Sequence, residues 1–537
     1  MRRPADPSPA PSRVAHLVRA TLIGTAALVF GVATLLALAE LGVRALYWYA
    51  FASTAQAPLV YERVSWAVPP WVANTSVLYG DPELGLWMRP NARRTYVNLF
   101  GPIGSLDEVG TLFDSLFPEL PDWAERRPRW HLNTNAAGLR GDELPSSKAS
   151  DTFRIVVLGD SWTVGINVEQ ELTFPAQLRD MLADGVAHGR VEVLNFGAIG
   201  TGAETGVRLL PRVLALAPDL VVVAYAQNDE SEARDARPKP ARPIGALPKA
   251  ETGFASVLHE SELYKLIQWW QTPRDDRIAA TLHRELTRPS LPPSNSPGRP
   301  CINPNAASSR YAAALERIVQ EVEDAGIPVV LLYDSVPEFF SHCTLAVLQA
   351  IGAARGLPLV DASVVLEDLG NELLAERARR LGLAPAGIAP DRRVKRGIDA
   401  VFRVDMSSAP PGSPPSVMGN APQLGGFTPN AVPLFDDGTR GDEVAGDGVW
   451  SRQVHFDQPQ ILTYSFTNGS EAGRWTGLEN YRLRSWALRD TDVKHTVLLP
   501  VEEFGVHVLR SDSSHPDAAG DRAIAEALAA TVRATPQ

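Results

Sequence analysis

Ser161, Asp512 and His515 are the residue types from which acyl transfer is built: a hydroxyl nucleophile, a carboxylate and an imidazole base. A Ser hydroxyl attacks an ester only if a neighbouring base takes its proton during attack, and an Asp holding the imidazole Nδ1–H leaves Nε2 free for that task. Asp512 stands three residues before His515 in "LRSDSSHPDAAGDRAIAEALAATV", on what reads as a loop leading into a last amphipathic helix. Taken singly, each residue has a plainer role. Ser161 is a helix N-cap, Gly200 a turn, Asn228-Asp229 a turn or cap, and His515 one of ten histidines. Independent turns have no reason to fall in this order at successive strand ends, so the joint pattern favours chemistry.

Those residues need a frame that converges them. From Phe153 the chain shows short apolar runs, "FRIVVLGD", "VEVLNFG", "DLVVVAYAQND", "IPVVLLYDS" and "LPLVDAS", separated by amphipathic stretches. Continuous Val/Ile/Leu runs suit strands buried on both faces, and helical stretches between them imply right-handed crossovers in a parallel sheet. One such stretch, "SRYAAALERIVQEVEDAG", puts Tyr311, Leu315, Ile318, Val319 and Val322 on one face and ends at Gly326. The expected class is α/β, a three-layer doubly wound parallel sheet. Ligands bind such sheets beyond the carboxyl ends of the strands, where Asp160 and Ser161, "NFGAIGTG" and "AYAQND" all fall.

At 537 residues the chain exceeds one ordinary domain. A net charge of -11 argues against nucleic acid as partner, since phosphate binding needs a concentrated basic face. Arg2, Arg3, Arg13 and Arg19 precede an uncharged run from Ala20 to Ala39, long enough to span the hydrocarbon core as a helix. The positive-inside rule then puts residues 1–19 in the cytoplasm, the anchor at 20–46 and the remainder outside, periplasmic or at the cell surface. A cleaved signal peptide is the competing reading, with Ala37-Leu38-Ala39 as a small-residue cleavage site. The anchor is favoured because the apolar run outlasts a signal core. Cys301 and Cys343 are the two cysteines, either bridged or free as thiols, and too few for a Cys-rich metal site.

The order of these motifs resembles the SGNH/GDSL hydrolase family over about residues 153–233, 307–365 and 500–533. "GDSW" is similar to its first block, with Ser161 as nucleophile; Gly200 in "NFGAIG" and Asn228 in "QND" match the second and third blocks, and "DSSHPDAAG" the last, at Asp512 and His515. The resemblance implies a flavodoxin-like sheet and an oxyanion hole made by the Ser161 and Gly200 N–H groups and the Asn228 amide, which would stabilise a tetrahedral intermediate. It implies no cofactor and no metal. Trp162 stands where the family's Leu would be, and Ala226 where a Gly commonly precedes the asparagine. G-x-S-x-G is absent because Thr163 holds its last position, which weakens an α/β-hydrolase reading.

The expected organisation is a membrane-proximal region at 52–150, a hydrolase domain at 151–391 resuming at 496–537, and an insert at 392–495. The insert has short alternating segments between Gly/Asp/Pro clusters, the mark of an antiparallel β-sandwich. It resembles starch-binding-like carbohydrate-binding modules, which makes Trp450, Trp475 and Tyr481 candidate sugar platforms; filling the sandwich core is the other role open to each. Asp436, Asp437, Asp442 and Asp447 lack EF-hand spacing and read better as solvated Asp-Gly turns than as a Ca²⁺ site. The function expected is an extracytoplasmic, membrane-anchored serine esterase or O-acyltransferase acting on acylated, chiefly O-acetylated, carbohydrate. The alternatives are a lipase or phospholipase preferring long acyl chains, and a non-catalytic glycan-binding or assembly protein.

Overall fold

The computed structural model describes residues 13–52, 59–60, 77–98, 103–105, 127–183, 189–230, 233, 261–271, 301–335, 342–409 and 412–535, apart from 82, 302, 304, 475, 480–482 and 512–514. Asp512, Trp475 and Tyr481 lie outside the described residues, as do most of the Pro-rich stretches 234–250 and 287–305.

The N-terminal helix α1 (Arg13–Ala52) contains the apolar stretch Val18–Leu46, long and apolar enough to cross a membrane. The region between α1 and the parallel sheet contributes antiparallel strands Arg93–Val97 and Arg129–Asn133, with Tyr96 stacked on Trp130 at 4.6 Å. Buried Arg140 ties this region to the turn that follows Ser161 by donating to the Val164 and Gly165 carbonyls.

Five strands make one parallel sheet: β1 (Thr152–Gly159), β2 (Arg190–Gly197), β3 (Leu220–Ala224), β4 (Val329–Tyr333) and β5 (Leu359–Asp361), in the order β5-β4-β3-β1-β2. Between and after them run α2 (Ser161–Val164), α3 (Phe174–Leu182), α4 (Ala203–Leu214), α5 (Glu262–Gln271), α6 (Arg310–Asp324), α7 (Cys343–Arg355) and α8 (Ala362–Arg380). The apolar runs are buried on both faces because side chains alternate along a strand. Val156 and Leu158 of β1 face a layer of α4, α6 and α7, while Ile155 and Val157 face α3, α8 and the C-terminal helix. Cys301 and Cys343 form a disulfide.

After α8 come β6 (Gly387–Arg393), β7 (Ile398–Asp405), β8 (Ser416–Gly419), β9 (Val449–Phe456), β10 (Ile461–Thr467), β11 (Thr476–Leu478), β12 (Arg484–Ala487) and β13 (His495–Glu503), before the last helix α9 (Ala518–Ala534). One sheet runs β6-β13-β7-β9; a second joins Val432–Pro433, β8, β10 and β11 to Ile103–Ser105, with β12 also on β10. Phe402, Phe456, Tyr464, Phe466 and Leu499 share one apolar cluster between them. The strands extend beyond 392–495 at both ends. β7 and β13 pair parallel, contrary to the purely antiparallel expectation. No hairpin joins those two strands, so nothing forces them to run in opposite directions.

Candidate active site

The turn after β1 is shaped by two close approaches. A Cβ on Gly159 would lie 2.0 Å from Thr163 Oγ1, and one on Gly197 would lie 2.6 Å from the Val164 nitrogen. Only glycine at both strand ends lets the single turn of α2 settle across β1 and β2. Asp160, not Ser161, caps that turn: its Oδ1 accepts from the Trp162 N–H at 2.9 Å. Ser161 is instead the first helical residue, and its hydroxyl is free for another partner.

That partner is His515. Its Nε2 lies 2.8 Å from Ser161 Oγ, and both residues are buried. The loop carrying the imidazole is closed by the Ser511 N–H donating to the His515 carbonyl at 3.1 Å, and Asp517 caps α9 by accepting from Ala519 and Gly520. This is the separation at which an imidazole can take a hydroxyl proton.

Gly200 lies in the exposed turn after β2 with φ 71°, a left-handed conformation that favours glycine. The Asn228 amide, in the turn after β3, donates to the Thr201 carbonyl at 2.9 Å and so links the second strand end to the third. An amide nitrogen has two hydrogens, and this bond uses one. Asp229 accepts from Ala203 N–H, fixing the start of α4 against the same turn.

Several residues that complete this arrangement were not singled out in the sequence. The Trp162 indole is fully buried and donates to Gln227 Oε1 at 2.8 Å, tying the nucleophile turn to the residue before Asn228. Asn195 donates to the Thr163 carbonyl at 2.6 Å and accepts from Gly197 N–H. Asp334, directly after β4, is buried against Asp160. Its place at a strand end was the available signal. Burial raises the Asp160 carboxyl to about 6, opposed by the Trp162 and Asn228 N–H groups and by His515. Burial and the neighbouring Asp160 push Asp334 well above the carboxylate range.

In the two-sheet unit, Trp450 is half-buried and packs against the shared apolar cluster. Oxygens of Asp436, Asp442 and Asp447 lie within 4.8 Å of one another. Asp436 accepts from the Gly446, Asp447 and Gly448 N–H groups, and Asp442 from Gly438, as in Asp-Gly turns. Asp437 turns away to Thr439.

Residues 157–381 match the family model described as the GDSL-like Lipase/Acylhydrolase family. Three solved structures are similar over 40% of this chain. A G-D-S-L family lipolytic protein from Desulfitobacterium hafniense DCB-2 has 14% identity, 79% of its own length covered and a TM-score of 0.23. The SGNH-hydrolase family esterase AlinE4 has 14% identity, 77% covered and a TM-score of 0.22. A two-domain esterase active on acetylated mannans has 15% identity, 38% covered and a TM-score of 0.23. No curated protein matches the chain. The segment that carries Ser161, Gly200 and Asn228 at successive strand ends therefore matches a GDSL-like lipase/acylhydrolase domain, and the protein is an ester hydrolase.

Proposed function

We propose that the chain is a membrane-anchored, extracytoplasmic serine esterase or O-acyltransferase whose substrate is O-acetylated carbohydrate. The observation that carries the chemistry is the 2.8 Å approach of His515 Nε2 to Ser161 Oγ. Ser161 Oγ forms a bond to the ester carbonyl carbon while its proton passes to His515. The tetrahedral intermediate collapses, the ester C–O bond breaks, and His515 returns the proton to the leaving alcohol. Water or a sugar hydroxyl, deprotonated by His515, then attacks the acyl-Ser carbonyl and releases Ser161. In this reading Asp512 accepts the His515 Nδ1–H. The Ser161 and Gly200 N–H groups and the remaining Asn228 amide hydrogen face the developing oxyanion.

Carbohydrate as substrate draws its support from the unit at 387–503, read as an inserted β-sandwich of carbohydrate-binding type with Trp450, Trp475 and Tyr481 as platforms. The anchor reading rests on the apolar stretch Val18–Leu46. Turnover of p-nitrophenyl acetate by the full chain tests the core. Ser161→Ala is expected to lower kcat by about 10⁴-fold or more, and adding His515→Ala to cost little further, because residues acting as one unit are non-additive. A Ser161→Ala variant with unchanged rate would remove the nucleophile assignment. Product analysis with an acetylated donor, with and without oligosaccharide acceptor, separates hydrolysis from transfer, and acetyl against long-chain esters separates this reading from a lipase.

A further inference from the structure

The uncharged run Ala20–Ala39 of α1 is twenty residues long. At 1.5 Å per residue it covers about 30 Å, the thickness of the hydrocarbon core. Glu40 is the next residue, so in a spanning α1 it stands at the outer boundary between acyl chains and headgroups. A carboxylate there requires partners, and Glu40 has them on two elements. Arg44 Nε donates to its Oε1 at 2.7 Å. The other partners belong to the start of α5: Glu262 N–H donates to Oε1 at 3.0 Å, Leu263 N–H to Oε2 at 2.9 Å, and Ser261 Oγ to Oε2 at 2.8 Å. Ser261 Oγ in turn accepts from Tyr264 N–H at 3.1 Å. The free N–H groups of the first turn of a helix 222 residues further along the chain are thus satisfied by the anchor helix.

The α5 sequence, "ELYKLIQWWQ", places apolar types at Leu263, Leu266, Ile267 and Trp270, the i, i+3, i+4, i+7 spacing of one helical face. The same spacing puts the polar types Lys265 and Gln268 off that face. Ile267 is 40% exposed although it belongs to the apolar set. Trp269, Trp270 and Tyr264, like Tyr47, Trp48 and Tyr49 beyond Glu40, are residue types that collect at membrane–water boundaries. A helix whose first turn is fixed at that depth and whose sequence is two-faced has one partner that matches both features, the lipid surface itself.

We propose that α5 lies on the outer leaflet as an interfacial helix, its N-terminus clipped to Glu40 at the outer end of the spanning helix, with headgroups and upper acyl chains as its partner. This rests on the anchor reading above. In the sequence α5 stands between β3 and α6, after Ala233, which is buried in the core beside the sheet, and before Cys301, which is bonded to Cys343 at the start of α7. The Asn228 edge of the sheet is thereby tethered to the bilayer at a second point besides α1.

The test uses the full chain in vesicles of phosphatidylcholine and phosphatidylglycerol, with Ile267→Cys carrying an environment-sensitive fluorophore; the native cysteines are bridged and do not compete. The expected result is blue-shifted emission, quenched more by lipids with a nitroxide near the headgroup than by lipids with one near the chain end. Glu40→Ala is expected to lose the shift while the protein still resists carbonate extraction. A label that reads water in protein retained by the membrane overturns the proposal and leaves the anchor standing. Release of the wild-type chain by carbonate overturns the anchor and the proposal together. Quenching unchanged in Glu40→Ala overturns the clip. A label at Arg522→Cys, an exposed position on α9, gives the aqueous reference.

Discussion

Asp160 and Asp334 are buried carboxyl groups close to one another, and neither oxygen of Asp334 has a hydrogen-bond partner among the described residues, so burial and the mutual repulsion of two carboxylates favour a protonated form. Asp160 accepts the Trp162 N–H and lies near His515, which hold its rise to about 6, whereas Asp334 is pushed well above the carboxylate range, so Asp334 is the member that keeps its proton. Asp229 and Asp160 both raise Asp334 further. The proton on Asp334 has a consequence for stability. A carboxyl whose folded pKa lies above its unfolded value stabilises the fold fully below the unfolded pKa and loses that contribution as pH rises towards the folded one. While the folded state keeps the proton, the loss is about 1.4 kcal/mol per pH unit. Asp334→Asn keeps the size of the side chain and has no proton to give up. Its unfolding free energy relative to wild type is therefore expected to improve steadily from pH 5 to pH 8 in denaturant titrations. A difference that stays constant across that range would contradict a protonated Asp334.

Secondary elements reach the site only because small residues stand where they meet. Gly197, the last residue of β2, leaves no room for a Cβ beside the Thr163 carbonyl carbon and the Val164 nitrogen. Gly197→Ala must push α2 off β2 by several tenths of an ångström and carry Ser161 away from His515. Misplacement on this scale costs about 10²-fold in kcat, with little change in KM because the outer walls of the site are untouched. Steady-state kinetics on a variant shown to be folded checks this; unchanged kcat would mean that α2 is not the seat of the nucleophile's alignment. The apolar runs and their order were enough to read the parallel sheet and its strand-end residues, because burial on both faces writes a continuous Val/Ile/Leu signal. The exchange of roles at the cap was not legible, since Asp160 and Ser161 are both good N-cap types and only backbone geometry decides between them. Nor was the Trp162 to Gln227 link, which joins residues 65 positions apart. The parallel β7–β13 pair escaped for a related reason: alternation reports burial on one face, not strand direction.

Across the whole molecule, the two-sheet unit and His515, the proposed base, are joined by one strand exit. β13 ends at Glu503, and the chain runs from there to His515. The exit is held by buried Arg484, which pairs with fully buried Glu479, lies 3.4 Å from Glu502 and donates to the Glu503 and Val506 carbonyls at 3.2 Å. Glu479 also accepts from Ser465 Oγ, Phe466 N–H and Gly505 N–H, so both sheets and the outgoing loop meet at one ion pair. Removing only the cation strands two carboxylates out of water, which costs about 3–5 kcal/mol, whereas removing the charge on both sides of such a pair is often nearly neutral. Arg484→Met is therefore expected to lose stability on that scale and to lower kcat on p-nitrophenyl acetate through a loosened His515 loop. Arg484→Met with Glu479→Gln is expected to recover much of the stability, because the fully buried charge is gone, but less of the activity, because the carbonyls of 503 and 506 still lack their donor. Denaturant unfolding and kinetics on the same two variants separate the effects. Equal stability in the single and double variants would show that the stranded charge is not what the ion pair protects against.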